Sequence, residues 1–474
     1  VLFNSPIFPI FFGVLYLLYR LLGAVGRRDP KAGVVLQNAL LLVGSYVFYA
    51  WWDWRFALLI LFSTAVDYTC GRLLERDRRT LWVTLSVVVN LGILAVFKYL
   101  GWFVEETGQV LEWMGLVTNP GTLELILPVG LSFYTFQSMS YTIDVYRGDT
   151  PAQRSALVFA LYVSFFPQLV AGPIERSSVL IPQLEKPRTF SARQLGEGAW
   201  LIVWGFFKKL FVADNLAVVV GSVFEGDDPT SGFMVLVAAY AFTWQIYCDF
   251  SGYTDIARGV ARLLGIDLSL NFKMPFFAES PREIWHRWHI SLSGWLRDYL
   301  YVSLGGNRKG PLRTQLNLLL TMVLGGLWHG ANWTFVAWGA YHGAALAIQR
   351  ALRKPKGWRA PLPLRLIGVV LTFHFLCFGF LIFRAHDLGQ VGSLTWTLLS
   401  DFRPWYGDYR SAWQLVLLIC IPFGLELVQR LRGDDLNLPL RAPRWVQALV
   451  VAILVLITVV LGSTYGQTFI YFQF

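Results

Sequence analysis

Charge is what this sequence has least of: Asp, Glu, Lys and Arg make up 15% of its 474 residues, where soluble domains carry roughly 25%. That shortage excludes a water-exposed surface over most of the chain. With 55% hydrophobic residues and a mean hydropathy of +0.50, it places the chain in the membrane class. Cysteine is scarce as well. Cys70, Cys248, Cys377 and Cys420 stand alone in or beside apolar segments. Lacking CxxC spacing or a disulfide framework, they read as buried packing residues. No glycine-rich loop has P-loop spacing. GGNRKG at 305–310 resembles one only superficially, although Arg308 and Lys309 could meet an anionic cofactor. The formal charge of +10 does not call for nucleic acid, because the basic residues cluster in short segments between apolar runs, where they set membrane orientation. No basic stretch and no small-residue cleavage site accompany the first apolar run, so VLFNSPIFPIFFGVLYLLYR predicts a retained first helix and not a signal peptide. Neither an internal repeat nor a low-complexity tract is evident, and one domain over 1–474 is expected.

Apolar runs near the length that crosses a bilayer, about 20 residues, fall near 6–22, 34–50, 56–71, 81–100, 125–145, 197–221, 232–250, 314–330, 333–350, 366–383, 412–430 and 446–463. The expected fold is therefore an all-α polytopic membrane protein with about a dozen transmembrane helices. The connectors carry a charge bias. Arg20, Arg27, Arg28 and Lys31 follow the first run, and Arg72, Arg76, Arg78 and Arg79 follow the third. By contrast, Glu105, Glu106, Glu112 and Glu124 share a loop without one Lys or Arg, and Glu225, Asp227 and Asp228 form a second acidic loop. Positive-inside logic puts the basic connectors, including 350–365, in the cytoplasm and both chain ends outside. That parity requires 155–172 to enter the membrane and return. Pro167, Gly172 and Pro173 break a helix there, and irregular backbone at membrane depth survives only against protein or a water-filled cavity. Pro275, Pro281, Gly305 and Gly306 break 254–313 likewise, which predicts short or re-entrant helices lining a cytoplasmic funnel.

The chemistry concentrates between Arg282 and Gly343. Four of the six histidines lie there, His286, His289, His329 and His342, interleaved with Trp285, Trp288, Trp295 and Trp328. Ionisable groups so dense in an apolar chain are functional candidates. His329 sits in LGGLWHGANW, where Gly325, Gly326 and Gly330 let backbone or substrate approach closely. It is either a histidine satisfied by a carbonyl at a helix hairpin or a general base, and the second histidine cluster upstream favours the base. His286 and His289, three apart, would share a helix face. With no cysteine near and Glu283 the only close carboxylate, no metal site is expected. His289 then reads as a group that orients substrate or His329, and His286 as a polar surface residue. Arg297 and Asp298 either bind substrate or neutralise each other as a buried pair. Asn332 is a further substrate-binding candidate. His374 and His386 lack companions and read as structural.

At this point the chain resembles a known family. SYVFYAWW at 45–52, FKYL at 97–100, LPVGLSFYTFQSMSYTIDVYRGDTPA at 127–152, FPQLVAGPIER at 166–176, GFFKKLFVADNLA at 205–217, YCDFSGYTDIARG at 247–259, WHISLSGWLRDYLYVSLGGNR at 288–308, LGGLWHGANWTFVAWGAYHG at 324–343 and the final FIYFQF are similar to the membrane-bound O-acyltransferase (MBOAT) family, in its branch that acetylates exported polysaccharides such as alginate. The resemblance runs nearly end to end. It implies a ring of helices around a funnel, a cytoplasmic acyl-thioester donor and an essential histidine at His329, with a second polar position at His289. His286 departs from the pattern, which carries Arg there, and so takes no catalytic role.

The expected protein is a multi-pass acetyltransferase of a bacterial inner membrane. It would use acetyl-CoA as donor with no bound cofactor, and pass acetyl towards an exported polysaccharide with the help of periplasmic acetyltransferase partners. His329 would be the base, His289 would position the donor or polarise its carbonyl, and Trp285, Trp288 and Trp328 would wall the cavity. The uncharged tail, Gly466 to Phe474, either anchors at the membrane interface or offers Tyr471 as an acyl carrier. A transporter, a non-catalytic scaffold, direct acylation of a lipid or a protein, and D-alanyl export are the competing readings.

Overall fold

The computed structural model describes residues 3–26, 28–116, 126–226, 230–352, 360–404, 407–433, 436–463 and 469–470. Helices and their connectors account for all of them, and no strand occurs among the described residues. Without water, only intrasegment hydrogen bonding satisfies a spanning backbone, which is why the apolar runs fold this way. The chain resolves into two compact units, Val1–Ile202 with Ile256–Ser269, and Val203–Asp255 with Leu270–Phe474.

The first unit opens with α1 (Ile7–Val25), α2 (Pro30–Ala50), α3 (Trp54–Arg76), α4 (Thr80–Leu94) and α5 (Leu100–Trp113), the last two joined through a π-helical turn at Ala95–Tyr99. Asp29 and Asp53 cap α2 and α3 by accepting from the Lys31 and Arg55 amides, each satisfying a helix-start donor that has no intrahelical partner. α6 (Leu131–Arg147) is the unit's interior helix: all but Ile143, Tyr146 and Arg147 are buried. It packs on α3 and α4 around Asp67, a buried carboxylate that accepts from Ser86, Asn90, Ser138 and Thr142. The 155–172 stretch breaks as its prolines and glycine predict, into α7 (Ala156–Ser164) and α8 (Phe166–Leu169), with α9 (Ser177–Glu185) following. Phe159 through Gly172 are almost wholly enclosed.

After α10 (Ala192–Phe206), a π-helical segment Phe207–Ala213 and α11 (Asp214–Phe224), α12 runs unbroken from Gly232 to Leu263. This corrects the expected start of the broken region: 254–263 continues a long helix, and the short pieces begin at 275. They are a 3₁₀ turn at Pro275–Phe277, α13 (Pro281–Arg287), α14 (Ile290–Trp295) and a π-helical turn at Leu296–Tyr301. Then come α15 (Pro311–His329), α16 (Trp333–Ala351), α17 (Leu362–Arg384), α18 (Leu388–Ser400), α19 (Asp408–Leu431) and α20 (Arg444–Leu461). An Arg365 to Glu279 ion pair, 2.8 Å, ties the loop before α13 to the foot of α17, and its hydrogen bonds hold the Glu279 carboxyl below its ordinary range.

Eight stretches among the described residues are long and apolar enough to cross a membrane: α1, α2, α3, the α4–α5 stretch, α12, α17, α19 and α20. The other four expected runs are helical too. They form α6, the α10 to α11 stretch, α15 and α16, where polar and glycine residues interrupt the apolar surface. Cys70, Cys248 and Cys377 are buried as expected, whereas Cys420 lies on an exposed face of α19.

α15 and α16 form a hairpin with backbones in contact. A Cβ on Gly326 would meet the Phe335 carbonyl and, at 3.2 Å, the Gly339 Cα; one on Gly339 would meet the Met322 carbonyl and, at 2.8 Å, the Val323 Cα. Small residues are what allow such approach between membrane helices. Gly339→Ala is expected to destabilise the protein by about 1–3 kcal/mol through overpacking. Thermal denaturation in detergent checks this, with Gly392→Ala as the comparison, because a Cβ at Gly392 meets nothing within 4 Å.

Candidate active site

His329 is the last residue of α15, buried at 6% exposure, and Gly330 follows in extended backbone. The ring of Phe335 fills the space where a side chain at 330 would go, so the glycine after the histidine is a steric requirement. Around the imidazole stand Trp328, Trp338 and Phe383, with ring centroids at 5.0, 5.1 and 5.2 Å. The tight hairpin presents His329 inside an aromatic, water-poor wall.

His289 reaches the same wall from the broken region. It stands between α13 and α14 with φ 42° and ψ 53°, a left-handed conformation costly for a residue with a Cβ and commonly retained where function demands it. Asn271 holds it there. The Asn271 carbonyl accepts from the Ile290 amide at 2.9 Å, and its side-chain oxygen accepts from the Ser291 amide at 3.2 Å and hydroxyl at 2.9 Å. The same oxygen lies 3.2 Å from His289 Nδ1. An oxygen that already accepts from an amide can only accept from the ring, which puts the His289 proton on Nδ1 and the lone pair on Nε2. The Trp328 indole contacts both histidines, 6.1 Å from the His289 ring and 5.0 Å from that of His329. Residues forty apart in sequence thus share one indole.

The other candidates distribute unevenly. Trp288 packs into the aromatic layer beneath His289, against Phe272 and Phe380 at 5.0 Å each. His342, fully buried, lies against Trp338 at 4.8 Å and Trp285 at 5.2 Å. Asn332 caps α16 by accepting from the Thr334 amide at 2.9 Å and donates to the His386 carbonyl at 2.8 Å, which makes it a tie of the hairpin. Arg297 and Asp298 pair with each other at 2.7 Å on an exposed surface, so of the two readings open in the sequence the mutual pairing is seen, without the burial. His286 and His289 do not share a helix face, because α13 ends at Arg287 and the backbone reverses hand at His289; His286 is exposed. Tyr471 lies outside the described residues. Among the described residues, no group of three or more His, Cys, Asp or Glu is arranged to hold a metal.

The sequence reading did not single out a buried ion network in the same unit. Lys208 Nζ lies 2.7 Å from Asp255 Oδ2 and 2.9 Å from Ser251 Oγ. Lys209 Nζ lies 2.9 Å from Asp214 and 2.8 Å from Asp249. The signal was present: two lysines inside an apolar run and two aspartates inside or beside another are costly unless paired. Asp249 also accepts from the Ile470 amide at 2.7 Å. Phe469 packs on Tyr253 at 4.8 Å and on Phe250 at 5.7 Å, and Phe250 lies 4.7 Å from the His289 ring. The described part of the tail is therefore buried against α12, one aromatic layer from His289.

The profile of the membrane-bound O-acyltransferase family matches residues 152–381, which span the hairpin, both histidines and the ion network. The chain is 44% identical over 415 residues to a "Probable alginate O-acetylase AlgI" of Azotobacter vinelandii, covering 85% of this chain and 79% of that protein. It is 33% identical over 422 residues to a peptidoglycan O-acetyltransferase of Helicobacter pylori, covering 82% and 78%. It is 28% identical over 403 residues to a teichoic acid D-alanyltransferase of Bacillus subtilis, covering 80% and 97%.

Proposed function

Since this chain belongs to the membrane-bound O-acyltransferase family and is a multi-pass membrane acyltransferase, we propose that it takes acetyl from acetyl-CoA at the cytoplasmic face of a bacterial inner membrane and passes it outward for O-acetylation of an exported polysaccharide of the alginate type. The observation that carries this reading is the pairing of His329 and His289 about the Trp328 indole. Greater identity to the alginate O-acetylase than to the D-alanyltransferase favours an acetyl group on a polysaccharide. The basic connectors support a cytoplasmic donor.

In this mechanism the His329 imidazole takes the proton of an attacking hydroxyl. The oxygen bonds to the thioester carbonyl carbon, the C–S bond breaks, and the CoA thiolate leaves with the proton that His329 returns. No metal and no bound cofactor is called for. Of the two roles open to His289, positioning fits better than polarising the carbonyl. With Nδ1–H committed to Asn271, Nε2 is an acceptor, and an acceptor aligns a hydroxyl or an amide N–H rather than a carbonyl oxygen. The first hydroxyl to be acylated is that of Tyr471, and periplasmic partner acetyltransferases complete delivery to the polymer.

Radiolabelled acetyl-CoA supplied to membrane vesicles tests donor and sidedness together. Inside-out vesicles should release free CoA thiol, and right-side-out vesicles should not. Intact thioester in both preparations would overturn the reading in favour of a transporter or scaffold.

A further inference from the structure

Among the described residues, the ion network sets three aspartates against two lysines. Lys208 is matched by Asp255 at 2.7 Å and Lys209 by Asp214 at 2.9 Å. Asp249 is the third acid, 3% exposed, and burying a surplus charge is expensive unless hydrogen-bond donors meet it. The Lys209 ammonium faces Oδ1 at 2.8 Å as an ion pair, and the backbone N–H of Ile470 donates to Oδ2 at 2.7 Å. The chain just before the tail is strapped to the same part of the fold. Ser463 donates its amide to the Leu210 carbonyl at 3.0 Å, and the Asn215 side chain donates to the Leu461 carbonyl at 3.0 Å. Leu461–Ser463 are thus tied to the segment that carries Lys209, and Ile470 is tied to the acid that Lys209 holds. Phe469 and Ile470, 2% and 1% exposed, are seated as firmly as core residues.

We infer that Asp249, held by Lys209, is a positioning residue that sets the backbone register of the C-terminal tail through its bond to the Ile470 N–H. A counterion role alone does not explain it, because Lys209 already has Asp214. A carboxylate suits the task because its two oxygens serve two donors at once. In asparagine the single oxygen is drawn to the Lys209 ammonium, the charged partner, which turns the NH₂ to the Ile470 N–H, where it cannot accept. The consequence for activity rests on the reading that Tyr471, the next residue, carries the acetyl group. A one-residue slip would replace Tyr471 with Ile470 or Phe472, neither of which has a hydroxyl.

Two variants of the full-length protein separate the parts. Asp249→Asn leaves Lys209 paired with Asp214, and Ile470→Pro removes the backbone donor, with φ fixed by the ring, while Asp249 and Lys209 stay. Ile470→Ala is the side-chain control. With radiolabelled acetyl-CoA, Asp249→Asn should retain at least about tenfold less acetyl on the protein than wild type, as loss of a charge-assisted hydrogen bond implies. Ile470→Pro should fall at least as far below Ile470→Ala. The KM for acetyl-CoA should be unchanged in both, which a collapse of the site would not permit. Amide exchange reads the bond itself. The Ile470 amide should be protected in wild type and in Tyr471→Phe, and should exchange at least about tenfold faster in Asp249→Asn. Unchanged exchange in Asp249→Asn, or equal labelling of Ile470→Pro and Ile470→Ala, would overturn the inference. Full labelling of Tyr471→Phe would instead strike the carrier reading, and the exchange measurement would still decide the role of Asp249.

Discussion

His329→Ala is expected to lower acetyl transfer by about 10²–10⁴-fold, the usual contribution of a positioned proton-transfer group, while the protein still inserts and folds. His329 ends α15, so truncating it removes a ring but interrupts no helix, and Gly330 already turns the chain away. The hairpin is held elsewhere, by the contacts at Gly326 and Gly339 and by the Asn332 cap. The chemistry has no such redundancy. His289 has its Nδ1–H committed to Asn271 and its backbone fixed in a left-handed turn, so it is not free to replace the lost base. His329→Gln, which keeps a polar group of similar reach, should be equally impaired, because an amide does not take up a proton near neutral pH. Acetyl incorporation by the purified variants, with membrane insertion checked by fractionation, measures the effect. Substantial product acetylation by either variant would remove His329 from the base role.

How much of this was legible in the sequence depended on the range of the interaction. Composition and run length report on the bilayer, and they anticipated a helical membrane protein and the breaks at Pro167, Pro275 and Pro281. Local chemistry was readable too: three glycines and a histidine at the junction of two apolar runs described the hairpin that presents His329. Helical periodicity misled at His289, since the i, i+3 spacing from His286 has meaning only in a continuous helix. What ends that helix is Asn271, eighteen residues upstream, whose bonds to Ile290 and Ser291 hold the turn. Asn332, a substrate-binding candidate, is also an asparagine directly before a helix, and the structure shows it as the N-cap of α16. Lys209 and Asp249 were visible as costly charges in apolar runs. Their partnership with each other and with Ile470 joins segments up to 261 residues apart, and no local pattern carries that information.

Tyr471→Phe is expected to abolish acetyl transfer to the polysaccharide while leaving the protein folded and able to bind acetyl-CoA. Two accounts of the tail competed at the outset, an interfacial aromatic anchor and an acyl carrier. An anchor would turn its aromatic residues to the membrane interface. Phe469 and Ile470 are instead buried in protein, on Tyr253, Phe250 and Asp249, and Phe250 in turn contacts the His289 ring. That seating lies one residue before Tyr471 in the sequence and one aromatic layer from His289. A phenol ordinarily ionises near pH 10, about three units above neutrality, so it attacks a thioester only with a base at hand, and His329 is the base this reading supplies. Acetylated on oxygen, a tyrosine would carry the acyl group from the donor to a periplasmic acceptor without moving CoA across the membrane. Phenylalanine keeps the ring and its packing and removes only the hydroxyl, so loss of activity reports on chemistry and not on anchoring. The wild-type protein incubated with labelled acetyl-CoA should hold a base-labile acetyl group on its last peptide, and Tyr471→Phe should hold none. Wild-type acetylation of the polysaccharide by Tyr471→Phe would return the tail to the role of an anchor and leave His329 acting directly on the acceptor hydroxyl.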